Sequence, residues 1–419
     1  MSVSVDKQSV RVFSYPVLIM CLAAGFLFYK YVLQVFPSII ADQLMGQFHL
    51  TGAGLGWLAA TFYYSYMVTQ LFVGVLLDRF GTRWLTTAAI FSCAAGVLLF
   101  SQAETVFAAG LFRALMGVGV AFATVSYMKL AANWFPPHQY AFVSGLLATA
   151  AMAGAVFGQA PLAWLIDQFG WRYCLSLVGI TGFVLAFVFF VVVRDKTSHP
   201  QTLEMPRISF NDVVQVFKNK QNWLLTLYSG LAFSPVAVFG GLWGNPFLEQ
   251  AYHLGKTQAA SMVSLVFIGL GLGSPLLGML SDKLGNRRGV MFFSTLVSGL
   301  AITLVIYVPS LPISVLSILL FVFGFGLGAF MLVFAMGKEI NPVSLTATVI
   351  AMINTSDAVL DALTEPFIGK LLDLSWDGTI VNGVPQFSLH SYYIALGVLP
   401  VYLFVAAALL LWVKEDRPE

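Results

Sequence analysis

The sequence is poor in charge. Only 10% of its 419 residues are Asp, Glu, Lys or Arg, against roughly 25% in soluble domains. A water-soluble chain of this length needs a charged surface, and this one has too few charges to make it. Cysteine is also scarce. Cys21, Cys93 and Cys174 all fall inside apolar runs and no CxxC is present, which argues against a disulfide framework or a thiolate metal site. The five histidines are scattered over predicted loops, so no metal centre is expected. A Gly-rich phosphate loop, a Ser-centred nucleophile elbow and a zinc motif are all missing, so neither enzymatic chemistry nor a cofactor is expected. Asn354-Thr-Ser fits a glycosylation sequon but lies in a predicted membrane helix.

Apolar sequence is abundant. Hydrophobic residues make up 59% and the mean hydropathy is +0.86. A helix needs about 20 apolar residues to span a bilayer. Twelve such runs occur, near 13–39, 55–77, 84–103, 106–131, 140–166, 173–193, 222–248, 257–280, 289–309, 312–336, 346–371 and 391–413. They predict an all-α membrane protein of twelve spans. Lys7 and Arg11 ahead of the first run resemble a signal peptide. The apolar pattern continues past Lys30 to Ile40, however, and is read as a retained helix.

Net charge is +2 and carries little information; its distribution carries more. Lys and Arg concentrate in the loops on one side, including Arg79, Arg83, Lys283, Arg287, Arg288 and Lys338. The other side holds only Arg172 and Lys256. The excess marks the cytoplasmic face and puts both termini inside. The longest inner connection, 195–221, divides the chain into halves 1–194 and 222–419. Its segment "ISFNDVVQVFKN" has the pattern of a helix lying on the membrane surface.

The halves repeat. "GVLLDRFGTR" ends helix 2 and "GMLSDKLGNR" ends helix 8. Gly74, Asp78, Gly81 and Arg83 match Gly278, Asp282, Gly285 and Arg287 at an offset of 204 residues. A second echo sets Asp167 of "APLAWLIDQFG" against Asp373 of "EPFIGKLLDLS". With "RALMGVGVA" in helix 4 (Arg113, Gly117, Gly119, Ala121), these motifs resemble the major facilitator superfamily over nearly the whole chain. "NWFPPHQYAFVSGLL" and "DQFGWRY" are most similar to its organic anion:cation symporter branch. The resemblance implies two pseudo-symmetric six-helix bundles working as a monomer by alternating access in a bacterial inner membrane. It also implies that the paired loop motifs latch the halves at their cytoplasmic ends. Physically, Gly81 and Gly285 allow a tight reversal. Asp78 and Asp282 are placed to cap neighbouring helix N-termini, and Arg83 and Arg287 to pair with them.

Charges inside membrane helices cost about 2.5–3.5 kcal/mol each on the insertion scale and usually mark a pathway. Lys30 lies in helix 1 and Arg113 in helix 4. Asp357, Asp361 and Glu365 recur every four residues, forming one stripe on helix 11. In the family, helices 1, 4, 7 and 10 line the cavity and helices 2, 5, 8 and 11 flank it. Lys30 and Arg113 match the branch's basic positions. Tyr29 and Val120 stand where the branch usually carries acids, so any titrating acid is displaced, with helix 11 the candidate. The expectation is that Lys30 and Arg113 bind an anionic substrate, with Tyr29, Tyr31, Tyr64 and Trp243, and with them Phe62, Tyr63, Tyr66 and Tyr127, as cavity walls. When the cavity is empty, Asp361 or Glu365 is expected to pair with the two cations. The stripe has three readings: proton coupling, structural charge balance or recognition of a cation. The function expected is secondary transport of a small organic anion or zwitterion (a sugar acid, amino acid or carboxylate siderophore) with protons. An efflux antiporter for hydrophobic or cationic compounds is the alternative.

Overall fold

The computed structural model describes residues 15–195, 210–308, 310–342, 345–381 and 383–415. Twelve long helical segments run through it. They are α1 (Tyr15–Phe48), α2 (Gly52–Phe80), α3 (Thr82–Ser101), α4 (Val106–Trp134), α5 (Pro137–Phe157 and Ala160–Phe169) and α6 (Trp171–Val192). The second set is α7 (Lys220–Tyr252), α8 (Lys256–Leu284), α9 (Arg287–Tyr307), α10 (Ile313–Glu339), α11 (Thr346–Leu374) and α12 (Leu389–Leu410). All but α11 are plainly apolar enough to cross a membrane. Helix α11 is equally long but carries the three acids of the stripe together with Lys370 and Asp373. A hairpin of β1 (Ile380–Val381) and β2 (Val384–Pro385) joins α11 to α12. A helix, Phe210–Lys218, stands in the linker where the sequence pattern predicts one; residues 196–209 lie outside the described residues.

Several helices are longer or more broken than hydropathy alone suggests. Helix α1 runs on to Phe48 through a 3₁₀ stretch, Phe36–Ile40, that contains Pro37. Helix α7 carries a π-turn at Phe239–Trp243, where "GGLWG" relaxes the backbone. Helix α5 breaks at Gly158–Gln159.

The repeat extends into packing. In α4, a Cβ at Gly117 would strike the Phe62 carbonyl of α2, and one at Gly119 the Ala89 carbonyl of α3. In α10, Gly324 stands in the same relation to Val266 of α8, and Gly326 to Ser294 of α9. The alternating glycines therefore serve close helix approach, as small residues do in membranes. Helices α1 and α7 each end on a histidine in the left-handed region, His49 (φ 51°) and His253 (φ 52°), 204 residues apart.

We call the end of the bundle that carries the basic loops proximal and the opposite end distal. The halves meet chiefly through α2 on α11, α5 on α8, and the 3₁₀ stretch of α1 on the π-turn of α7. The described hydrogen bonds between halves all lie at the middle or distal end, such as Tyr64 to Ala362, Gln159 to Gly240 and Asn245 to Ser38. Among the described residues, none joins the halves proximally. A Cβ at Gly74 or at Gly278 would meet nothing within 4 Å. This conformation is sealed distally and parted proximally.

Candidate functional site

Five charged side chains are buried where the halves face each other: Lys30 (6% exposed), Arg113 (1%), Asp357 (7%), Asp361 (1%) and Glu365 (2%). No ion pair links any two of them among the described residues. This corrects the expectation that helix 11 neutralises the cations directly.

Arg113 is compensated by other means. Pro37 has no N–H for the Leu33 carbonyl four residues back, and the Arg113 Nη1 donates to that carbonyl instead. Nη2 donates to the Gln34 carbonyl at 3.2 Å. The guanidinium also lies over the rings of Phe36 and Phe62, 4.9 and 4.5 Å from their centroids. Charged hydrogen bonds contribute about 1.5–3 kcal/mol each and a desolvated cation–π contact about 2, enough to offset insertion of the charge. Nε keeps no hydrogen-bond partner among the described residues. Lys30 sits over Tyr66 and Tyr31, at 4.9 and 5.2 Å.

The acids face the same space. Asp357 accepts a hydrogen bond from Ser229 of α7 at 2.7 Å. Asp361 lies beside Ser234, and its Oδ1, like Oε2 of Glu365, has no partner among the described residues. Two tyrosines connect the sets. Tyr31 is within electrostatic reach of Lys30, Asp357 and Asp361. Tyr63 is within reach of Glu365, Asp361 and Arg113 and accepts from Gln34 Nε2 at 3.3 Å.

Above the acids the cavity is closed. Pro366 cannot donate to the Ala362 carbonyl, and the Tyr64 hydroxyl of the other half does so at 2.9 Å. The Trp243 indole donates to the Glu365 carbonyl at 3.2 Å. Gln159 Nε2 donates to Ser38 Oγ and the Gly240 carbonyl, and Asn245 Nδ2 donates to Ser38 and to Gln159 Oε1, all within 3.0 Å. Beyond Trp243 a cavity of about 550 Å³ opens at the distal face. It is lined by Asp42, Glu249 and Lys256 and bordered by the β-hairpin.

Sequence reasoning brought Lys30, Arg113, Tyr31, Tyr64, Trp243 and the three acids to one region. Tyr29 is elsewhere: its hydroxyl donates to the Val178 carbonyl of α6, and its ring packs on Gly182 inside the N-terminal half. Ser229, Gln159 and Asn245 were not singled out as site residues, whereas Tyr63 and Tyr66 were among the helix 2 aromatics expected at the cavity wall. The proline four residues after Leu33 and after Ala362 is the signal that identifies their freed carbonyls.

At the proximal loops, Gly81 and Gly285 take positive φ (82° and 59°). Asp78 does not cap a helix; it pairs with Lys129 at 2.7 Å. Arg83 Nε donates to the Phe190 carbonyl. Asp282 pairs with Arg287 at 3.4 Å, and Arg287 also binds Glu339 at 2.8 Å. The caps come from the ends of the halves. Asp195, just after α6, accepts from the amides of Thr82 and Arg83. Glu415, just after α12, accepts from the Arg287 amide.

Two six-helix halves around a buried, mixed-charge centre sealed at one end define a secondary transporter of the alternating kind. The sequence model described as Major Facilitator Superfamily matches residues 18–243 and again 225–419, and the chain belongs to that family. It is 22% identical over 413 residues to the uncharacterized transporter YybO of Bacillus subtilis, covering 92% of each chain. It is 24% identical over 380 residues to the probable galactarate/D-glucarate transporter GudP of the same organism, covering 82% of this chain and 83% of the relative. Its fold matches that of a bacterial homologue of the human lysosomal transporter Spinster, with a TM-score of 0.81 at 15% identity over 95% of this chain and 97% of the other. It is a multi-pass integral membrane protein and a transporter, not an enzyme.

Proposed function

We propose that the protein moves a small carboxylate-bearing metabolite, of the sugar-acid class, in symport with protons. The observation that carries this reading is a buried centre of two cations and three carboxylates without an ion pair among the described residues. Arg113 Nε, Asp361 Oδ1 and Glu365 Oε2 still have bonding capacity there. A substrate carboxylate takes Arg113 and Lys30. Its hydroxyls meet the tyrosine hydroxyls and amides around them. One acid of the stripe holds the proton. The similarity to GudP supports a dicarboxylate sugar acid as the first probe. The Lys/Arg asymmetry supports a cytoplasmic proximal end with both termini inside, so the observed conformation is inward-facing. The halves 1–194 and 222–419 rock about this centre, with 195–221 as their connection.

The test is uptake of labelled D-glucarate into proteoliposomes with and without an imposed pH gradient. Accumulation driven by the gradient and abolished in Arg113→Ala is expected. Uptake indifferent to both the gradient and Arg113 rejects the reading.

A further inference from the structure

The two carboxylates paired by the sequence repeat, Asp167 and Asp373, take no part in the charged centre. Asp373, on the last turn of α11, accepts the backbone amides of Gly52 and Ala53 at 2.6 and 2.8 Å. These open α2, in the other half. Asp167, on the last turn of α5, accepts from the Thr257 hydroxyl at 2.6 Å. Thr257 lies in the first turn of α8, again in the other half. At the 204-residue repeat offset Thr257 is the counterpart of Ala53. Each carboxylate thus crosses the interface to the start of the matching helix. There, amides without helical partners and the positive end of the helix dipole favour an anion.

The two arms are unequal. The α2–α11 arm is half-buried and bonds two amides. It is drawn tight by glycines: a Cβ at Gly369 would strike the Gly52 carbonyl, and one at Gly56 the Glu365 carbonyl. The α5–α8 arm is exposed and rests on one hydroxyl.

We propose that Asp373 and Asp167 form a two-armed distal lock that holds the halves closed at that end and must break for it to open, with Asp373 the dominant arm. The lock rests on the alternating-access reading but not on the substrate or the proton. Asp373 is a positioning residue acting through the relative placement of the halves.

The test uses full-length protein in nanodiscs, where both faces are accessible, with Cys21, Cys93 and Cys174 replaced by Ala. One reporter is Ser38→Cys, buried at the distal seal (Ser38 is 2% exposed). The other is Gly74→Cys on the open proximal face. In the Asp373→Asn background, maleimide labelling at Ser38→Cys is expected to accelerate about tenfold, the scale of one charge-assisted bond, while labelling at Gly74→Cys slows. Asp167→Asn is expected to shift both rates the same way by less. Unchanged rates overturn the lock. Acceleration at both reporters overturns it too, since that is loosening rather than switching. A larger effect of Asp167→Asn overturns the order of the arms. If Asp373→Asn fails to insert, Asp167→Asn and Thr257→Val, at the peripheral arm, decide by the same reciprocal criterion. These readouts need no transport, so a wrong substrate class and a wrong lock give distinguishable results.

Discussion

Arg113 shows how a single charge is kept in a membrane helix without a direct ion pair to a carboxylate. Two carbonyls and two aromatic faces surround it, and one of those carbonyls is free only because Pro37 follows it by four. Lysine has neither the fork nor the planar face to reproduce this. Arg113→Lys is therefore expected to insert and fold but to weaken substrate binding by at least about tenfold, measured by ligand-induced thermal shift. Equal affinity would show that the guanidinium's shape is unimportant. For the acids, Asp357→Asn, Asp361→Asn and Glu365→Gln separate coupling from charge balance. One variant is expected to retain substrate exchange while losing its response to a pH gradient. If all three still accumulate substrate under the gradient, the stripe is structural. At this scale the sequence was informative wherever an expensive residue interrupted an apolar run, as Lys30 and Arg113 do. It was uninformative where a cap comes from far along the chain. Asp195 lies 112 residues from Arg83 and Glu415 lies 128 from Arg287, so the nearer Asp78 and Asp282 were assigned the task that the distant carboxylates perform.

Helix α11 concentrates the molecule's conflicts. It carries three buried acids, a proline and the carboxylate of the distal end within one span, while Leu363 and Phe367 stand exposed on its outer face. Pro366 removes one backbone bond and Tyr64 restores it from the opposite half. A carbonyl left without a donor in a dry interface costs about 1–3 kcal/mol, so Tyr64→Phe should lower thermal stability by that amount. In a Pro366→Ala background the helix supplies its own donor. The same Tyr64→Phe change should then be nearly neutral, a coupling that a double-mutant cycle reads directly. Additive losses would mean that the hydroxyl matters for another reason. The positions of the twelve helices were legible because length and hydropathy set them. The 3₁₀ stretch of α1, the π-turn of α7 and the break in α5 were not, because each is a local compromise between a proline or glycine and the neighbouring helix.

As a whole molecule the protein is two copies of one plan, detectable in sequence through the loop motif and the Asp167–Asp373 echo. Sequence did not specify which end is shut, since both arrangements use the same residues. In this conformation Asp78 is held by Lys129 within its own half, and no described bond crosses the proximal gap. Asp78→Asn is expected to slow cycling while leaving substrate affinity within about twofold; weaker binding at unchanged turnover would contradict this. A Thr379→Cys reporter in the loop between α11 and α12 should label with an impermeant reagent on intact cells, and protection there would reverse the topology. The distal seal combines apolar packing with a set of polar contacts. When it parts, the Ala362 carbonyl, the Gly52 and Ala53 amides, and the side-chain amides of Gln159 and Asn245 all lose their partners together. In a membrane protein only water can replace them. Each opening toward that side is then a hydration reaction that consumes solvent molecules, and its equilibrium depends on water activity. Solutes too large to enter the cleft should hold the transporter shut at that face in proportion to osmotic pressure, with no contact to any residue of the site.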